Sequence, residues 1–357
     1  MLSDFFLKSF RILLFPFALV YWLIIFIRNW FYDKKVFAST PFGLPVICIG
    51  NLSVGGTGKS PMVEYLVENL KDKFTVATLS RGYKRKTKGY ALANENSTAL
   101  EIGDEPMQFH LKFPDVPVAV GEERIEAIPQ LLHDKPGTQA IILDDAFQHR
   151  AIKAGLNILL TDYNNLFTRD FFLPTGDLRD LKSSYKRADI IVVTKCNPDF
   201  SEQKKQKIIE EISPLSHQQI FFTAIEYGQP YHIISKETIS LTEKKDILLV
   251  SGVANPESLK KLLEERSNMY EMIHFPDHHI FTIDDLKEIK NRFGNIGSKD
   301  KIILSTEKDA VRLIKFNNEI TDLPFYIISI RHHFLFREGE QFNQSVINFI
   351  QNFRKAE

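Results

Sequence analysis

Residues 50–61, GNLSVGGTGKSP, place four glycines and one lysine in twelve positions directly behind the apolar run PVICI at 45–49. An apolar run closed by turn residues reads as a buried strand, and the apolar spacing over 61–70 reads as a helix. Strand, glycine loop and helix in that order form a phosphate cradle. Glycines let successive backbone N–H groups turn inward, and a helix N-terminus adds partial positive charge. The pattern G-x-x-x-x-G-K-[ST] assigns Ser53, Val54, Gly55, Gly56, Thr57, Gly58, Lys59 and Ser60 to a nucleotide's phosphates, with Lys59 on the terminal phosphates and the Ser60 hydroxyl on Mg²⁺. Ser53 stands where the strict pattern has its first glycine, and Gly55 and Gly56 supply the freedom it stands for. The bland alternative is an ordinary glycine-rich turn.

Behind the loop, strand and helix patterns alternate. Residues 74–79, 116–120, 140–143, 156–160 and 190–193 read as buried strands, which argues an α/β fold with a doubly wound, mostly parallel sheet. After about residue 225 a second α/β series follows a short β link. The expected division is an N-terminal helix over 1–35, a phosphate-loop domain over 36–225, a hinge over 226–242 and a smaller lobe over 243–357, closed by a helix near 340–353. Lys plus Arg equals Asp plus Glu at 45 each, so no global charge points to nucleic acid. Two cysteines, Cys48 and Cys196, exclude a disulfide framework and fit a reducing compartment.

Residues 12–27 carry no charge and are flanked by Lys8 and Arg11 on one side and Arg28, Lys34 and Lys35 on the other. As a helix they cover about 24 Å, short of the ~30 Å hydrocarbon layer. Phe5, Phe6, Tyr21, Trp22, Trp30, Phe31 and Tyr32 suit a helix lying in a membrane interface. The competing assignment is a buried core helix.

Several polar groups sit where strands end. Asp144 and Asp145 close the strand at 140–143, suited to Mg²⁺ contact, and Gln148 and His149 follow at the same edge. Asp104, in GDEP, is either a helix cap or a general base. The HFPDHH stretch at 274–279 holds three histidines, but Pro276 breaks the helix that would align two of them, so a polar loop at the interlobe cleft is expected rather than zinc. TEKDA at 306–310 is a cap with local ion pairs or a second group facing that cleft. SRGYKRKTK at 80–88 carries five cations with Tyr83 among them: a solvated loop, or a holder of an anionic head group. In GDLRD, Arg179 suits a phosphate and Asp180 a metal. TKCN at 194–197 is weakly similar to the guanine-reading NKxD loop.

Together GNLSVGGTGKSP, SRGYKRK, GDEP, LDDAFQHR, GDLRD, FPDHH and TEKDA resemble, in order, the tetraacyldisaccharide 4'-kinase family, lipid A kinases of Gram-negative bacteria. The resemblance implies ATP and Mg²⁺ as cofactors. It implies transfer of the γ-phosphate to the 4' hydroxyl of an acylated disaccharide 1-phosphate, giving lipid IVA at the cytoplasmic face of the inner membrane. By motif position Asp104 becomes the catalytic base, His278 its dyad partner and Asp145 an acidic active-site group. Ser60, Asp144 and Asp180 become the metal contacts, and Arg81, Tyr83, Gln148, His149 and Arg179 the substrate side. Asp180 stands where the family has Glu, so its side chain is one methylene short. A monomer is expected. Two rival functions use the same loop: a membrane-bound nucleotide switch, which gives Asp104 and His278 no task, and a kinase or ligase on a soluble metabolite, which leaves the N-terminal helix unused.

Overall fold

The computed structural model describes residues 11–241, 244–253 and 256–353. Phe5, Phe6 and Lys8, expected to belong to the interfacial N-terminal segment, lie outside them. The chain begins with helix α1 (Phe15–Asp33) and continues through β1 (Val46–Asn51), α2 (Lys59–Leu70), β2 (Val76–Ser80), β3 (Ala91–Leu92) and α3 (Ala99–Ile102). Next come α4 (Asp104–Lys112), β4 (Val118–Val120), α5 (Arg124–Asp134), β5 (Ala140–Leu143), β6 (Leu156–Asp162), β7 (Ile190–Thr194), α6 (Glu202–Ile212) and β8 (Gln219–Tyr227). The second series is β9 (Tyr231–His232), β10 (Asp246–Ser251), α7 (Glu257–Arg266), β11 (Met269–His274), α8 (Ile283–Asn295), β12 (Lys301–Thr306), α9 (Glu307–Leu313), α10 (Asn317–Ile320) and β13 (Phe325–Ile328). The chain ends with β14 (Ile330–Phe334) and α11 (Gly339–Gln351).

Nine strands form the large sheet in the order β14-β8-β7-β6-β1-β5-β2-β4-β3. Its interior is parallel, and the two edge strands, β14 and β3, run antiparallel to their neighbours. Both faces are covered. Alternate side chains of β1 point to opposite layers, Val46 and Cys48 to one and Ile47 and Ile49 to the other. The first layer is closed by Ile128 and Leu131 of α5 and Ile208 and Ile212 of α6; the second by Met62, Val63 and Leu66 of α2, Phe109 of α4 and Phe342, Val346 and Ile350 of α11. Strands buried on both faces must be continuous apolar runs, which is why they are legible in sequence. The fold is the phosphate-loop α/β architecture expected.

The smaller sheet, β11-β10-β12-β13-β9, repeats the plan with α7 on one face and α8 on the other. Two features differ from expectation. The 226–242 segment supplies β9, which pairs antiparallel with β13 and so belongs to the small sheet. The C-terminal helix does not close the second lobe. After β13 the chain crosses back, β14 pairs with β8, and α11 packs on the large sheet. The apolar stripe Phe342, Val346, Ile350 fits the layer that α2 and α4 leave open, and burying it there outweighs sequence proximity to the small sheet.

Helix α1 is not a core helix. Ala18 and Asn29 alone are buried in it, while Phe15, Phe17, Leu19, Val20, Leu23, Ile24, Phe26, Ile27 and Trp30 are exposed. The helix is apolar round most of its circumference, with a narrow polar seam, rather than sharply amphipathic. That seam holds it to the body: Tyr21 donates to the Arg179 carbonyl (3.1 Å), Arg28 to the Gln148 carbonyl (2.7 Å) and Asn29 to the Asp180 carboxylate (2.7 Å). Just before the helix, Arg11 pairs with Asp177 at 2.8 Å.

Candidate active site

The phosphate loop leaves the carboxyl end of β1 beside β5, near the point where successive connections switch sides of the sheet, the place where such folds bind ligands. Gly50 is required by close approach, since a Cβ there would lie 2.5 Å from Cβ of Phe147. Gly58 is required by conformation: its φ is +87° and a Cβ would press on the His332 ring at 3.0 Å. The loop is fastened from outside. Asn51 donates to Thr57 Oγ1 (2.9 Å), Thr194 Oγ1 donates to the Thr57 carbonyl (2.9 Å), and Ser53 bridges to Leu178, with the Val54 N–H on the Asp177 carbonyl (2.7 Å). Buried Ser53 and Thr57 anchor the loop, while Val54, Gly55 and Gly56 are exposed at its tip.

His332, from the returning strand β14, is the fastening that sequence reasoning missed. Its Nε2 lies 2.9 Å from the Gly58 carbonyl and its Nδ1 2.9 Å from the Thr223 hydroxyl. A carbonyl only accepts, so Nε2 carries the proton and Nδ1 takes the hydroxyl's. Burial pushes its pKa down to about 4, keeping the ring neutral. No sequence signal marks it.

Lys59 opens α2 with its side chain largely buried and Nζ 3.7 Å from Asp145. Asp145 also receives Arg179, whose Nη1 lies 3.2 Å from Oδ2, and Arg179 reaches Asn51 as well. Burial alone would raise the Asp145 pKa, but Lys59 and Arg179 hold it below the usual carboxylate range. Asp144 is the opposite case. Burial, then the Asp145 and Glu105 carboxylates, push its pKa up to about 7. Its Oδ1 is buried with no hydrogen-bond partner among the described residues, and Ser80 reaches only Oδ2, at 3.4 Å. An orphaned carboxylate oxygen at a strand end beside the phosphate loop fits a divalent cation, whose charge would offset that penalty. Ser60 follows Lys59 in the first turn of α2.

Asp180 does not fit the metal role expected of it. It is 1% exposed, and its oxygens are taken by Asn29 (2.7 Å), Ser184 (2.9 Å), the Leu181 N–H (2.8 Å) and Arg187 (2.8 Å). A side chain with this many donors is a structural tie, here between α1 and the body. Gln148 also supports rather than lines: its amide donates to the Asn51 carbonyl at 2.7 Å. His149 keeps a buried, unpartnered Nε2, and burial together with the Arg124 charge lowers its pKa. Arg81 and Tyr83 are exposed on the basic loop, where Arg85 is not free for a ligand because it is paired with Glu122 at 2.8 Å.

The second cluster joins the two lobes. Asp104 is the first residue of α4, where Gly103 is the cap residue and makes no side-chain cap bond. The Asp104 carboxylate points instead at the small lobe: Oδ2 lies 2.7 Å from His278 Nδ1, and Arg312 of α9 holds it with Nε on Oδ1 at 2.7 Å and Nη2 on Oδ2. A cap assignment is therefore set aside. Burial would raise the Asp104 pKa, but the hydrogen bonds from His278 and Arg312 lower it. The Tyr83 ring meets the His278 ring edge-on, with centroids 5.6 Å apart. Lys308, one turn before Arg312, lies 3.3 Å from His278 Nε2 and 3.1 Å from Asp277. Glu105, beside Asp104, is near enough to Asp144 and Lys59 to act on the charge of both, so the two clusters lie within electrostatic reach of each other. The histidines of the 274–279 loop diverge, with His279 on Asp285 at 2.9 Å, and no group of three or more His, Cys, Asp or Glu able to hold a metal is found among the described residues. Arg312 was also missed; the one signal available was its i, i+4 spacing from Lys308.

Known proteins resemble this chain along nearly its whole length. The LpxK family model, described as tetraacyldisaccharide-1-P 4'-kinase, matches residues 10–351. The tetraacyldisaccharide 4'-kinase of Flavobacterium johnsoniae is 46% identical over 346 residues, covering 96% of this chain and 97% of that protein. The enzyme of the same name from Bacteroides thetaiotaomicron is 42% identical over 352 residues, 95% and 93% of the two chains. A crystal structure of LpxK from Aquifex aeolicus in complex with ATP superposes with a TM-score of 0.74 at 29% identity, covering 96% of this chain and 99% of that one. The chain belongs to the LpxK family, the tetraacyldisaccharide-1-phosphate 4'-kinases.

Proposed function

We propose that this protein transfers the γ-phosphate of ATP to the 4' hydroxyl of tetraacyldisaccharide 1-phosphate, giving lipid IVA in lipid A biosynthesis, with Asp104 accepting the proton and His278 as its dyad partner. The observation that carries the residue assignment is a carboxylate–imidazole pair, 2.7 Å apart and built from both lobes, with Glu105 next to it acting on the charge of Lys59 in the phosphate loop. The loop residues Ser53 to Ser60 cradle the phosphates, and Lys59 and Arg179 present cations to them. Ser60 and Asp144 would hold Mg²⁺, which would supply charge to offset that of the phosphates. In the transfer, the acceptor oxygen forms its bond to the γ-phosphorus as the β–γ bridging P–O bond breaks. ADP leaves with that bond's electrons, and the hydroxyl proton passes to Asp104. With Asp104 on Nδ1, the neutral His278 carries its lone pair on Nε2, toward Lys308. Arg81, Tyr83 and the lysines of the exposed basic loop suit the acceptor's anionic 1-phosphate.

The substrate is a lipid, and α1 provides the means to meet it. Its seam contacts tie it to Arg179, Asp180 and Gln148, the segments that brace the loop. Those contacts run along the length of the helix, so a spanning orientation would drag the catalytic edge to bilayer depth. They support a helix lying in the interface at the cytoplasmic face of the inner membrane.

The test is transfer of labelled γ-phosphate to tetraacyldisaccharide 1-phosphate in mixed micelles, with and without chelator. Transfer that stops on chelation and returns with Mg²⁺ is expected; ATP bound without transfer would instead favour a nucleotide switch. Leu19, Leu23 and Ile27 stand at i, i+4, i+8 on the exposed side of α1. Replacing all three by glutamate is expected to weaken flotation with anionic vesicles by more than about tenfold, since each such side chain contributes ~1.5–3 kcal/mol on burial. ATP binding should be retained, and unchanged flotation would remove α1 from the membrane.

A further inference from the structure

We propose that Arg312 is a positioning residue for phosphoryl transfer, drawing the small lobe onto Asp104 and setting the pH below which the dyad stops working. The inference rests on the reading of Asp104 as proton acceptor. Arg312 contacts both members of the dyad, the Asp104 carboxylate and, through Nη2 at 3.0 Å, Nδ1 of His278, and so acts through them. It is a fork on the carboxylate, with its third nitrogen donating to the His279 carbonyl at 2.8 Å, and so it fixes at once Asp104, the loop that carries His278, and helix α9. Asp104 and Arg312 are 208 residues apart and lie on opposite lobes. Together with Lys112–Glu307 (2.9 Å) at the other end of α4, this ion pair holds the helix with the carboxylate and the lobe with the imidazole in register.

The charged and titratable groups around the dyad come from four elements. Arg312 and Lys308 come from α9. Asp277 and His278 come from the loop after β11, Tyr83 from the basic loop, and Glu105 from the helix of Asp104 itself. Lys308 is spread over Asp277 (3.1 Å), His278 (3.3 Å) and Glu105 (3.8 Å), which leaves Arg312 as the cation in direct contact with Asp104. A guanidinium in contact with a carboxylate favours its ionised form and lowers its proton affinity. Arg312 therefore keeps the acceptor unprotonated well below neutral pH, at the cost of making it a weaker base. The sign follows. Loss of Arg312 raises the pKa of Asp104, so the acid limb of the rate profile moves to higher pH.

The experiment is the pH dependence of kcat in wild type, Arg312→Gln, Arg312→Lys and Asp104→Asn, with ATP binding measured on each as a check of folding. For Arg312→Gln the acid limb is expected to move up by about 1–3 pH units, the scale of an adjacent opposite charge, with a raised KM for the acceptor lipid from looser lobe docking. Arg312→Lys restores the charge without the fork, so its acid limb should return toward wild type while the raised KM persists. A uniform loss of rate with an unmoved acid limb in Arg312→Gln would overturn the inference and leave Arg312 a structural tie. Asp104→Asn separates the two claims: full activity in it would overturn the proton-acceptor reading, whereas its inactivity with an unmoved limb in Arg312→Gln overturns the present inference alone.

Discussion

Replacing Asp104 by alanine is expected to lower kcat by about two to four orders of magnitude, the range for loss of a positioned acid or base, while ATP binding stays near wild type. The carboxylate is 4% exposed and held by His278 and Arg312, so it is oriented before the acceptor arrives. Removing it has a second effect. Arg312 and His278 lose their shared acceptor, and breaking a buried pair from one side costs about 3–5 kcal/mol. A drop in melting temperature should therefore accompany the drop in rate, and the two must be separated. Asp104→Asn does this, because an amide oxygen still accepts a bond while no longer taking a proton. If the asparagine variant melts near wild type and is as inactive as the alanine variant, the loss is chemical. If it recovers most of the activity, Asp104 serves to hold the lobes and the proton goes elsewhere, with His278 Nε2 the next group to test.

The parts legible in sequence were those with local causes. Strands β1, β2, β5, β6 and β7 are fully or nearly buried runs of β-branched and aliphatic residues, and a run of that kind between turn residues has few alternatives. The loop was legible because its glycines and Lys59 are consecutive. What was not legible came from pairings over long separations. Strand β14 reads IRHHF, a polar sequence, because the inward position between Ile330 and Phe334 is His332, buried against the Gly58 carbonyl. Nothing local shows that a histidine there is inside, so the return of the chain to the large sheet could not be read. Arg312 was hidden for the same reason, its partner being on the other lobe. Asp180 was misassigned because position in a motif says nothing about burial, and burial decides whether a carboxylate can spare an oxygen for a metal. His278 was assigned correctly to a polar loop, but only packing distinguishes it from His274, which is exposed, and His279, which is committed to Asp285.

Lys59→Met is the substitution expected to separate the chemistry of the phosphate loop from its architecture most cleanly. The ammonium is largely buried, and burial lowers its pKa, a cost that a side chain kept for structure alone would not justify. Among the described residues its one ion-pair partner is Asp145, 3.7 Å away and already in direct contact with Arg179, so the Asp145 charge stays paired when Lys59 is removed. The loop itself is held by Asn51, Thr194, His332 and the 177–178 segment, none of which depends on Lys59. Methionine keeps the unbranched stem and loses the charge. The melting temperature should then change little, while kcat falls by about 10²–10³, the scale for one lost electrostatic contact to the charge that develops in transfer. Lys59→Arg should not rescue it, because a broad planar guanidinium does not reproduce a compact ammonium point charge. A methionine variant that transfers phosphate at the wild-type rate would take the loop away from the γ-phosphate, and Arg179 would then be the cation on the transferred group.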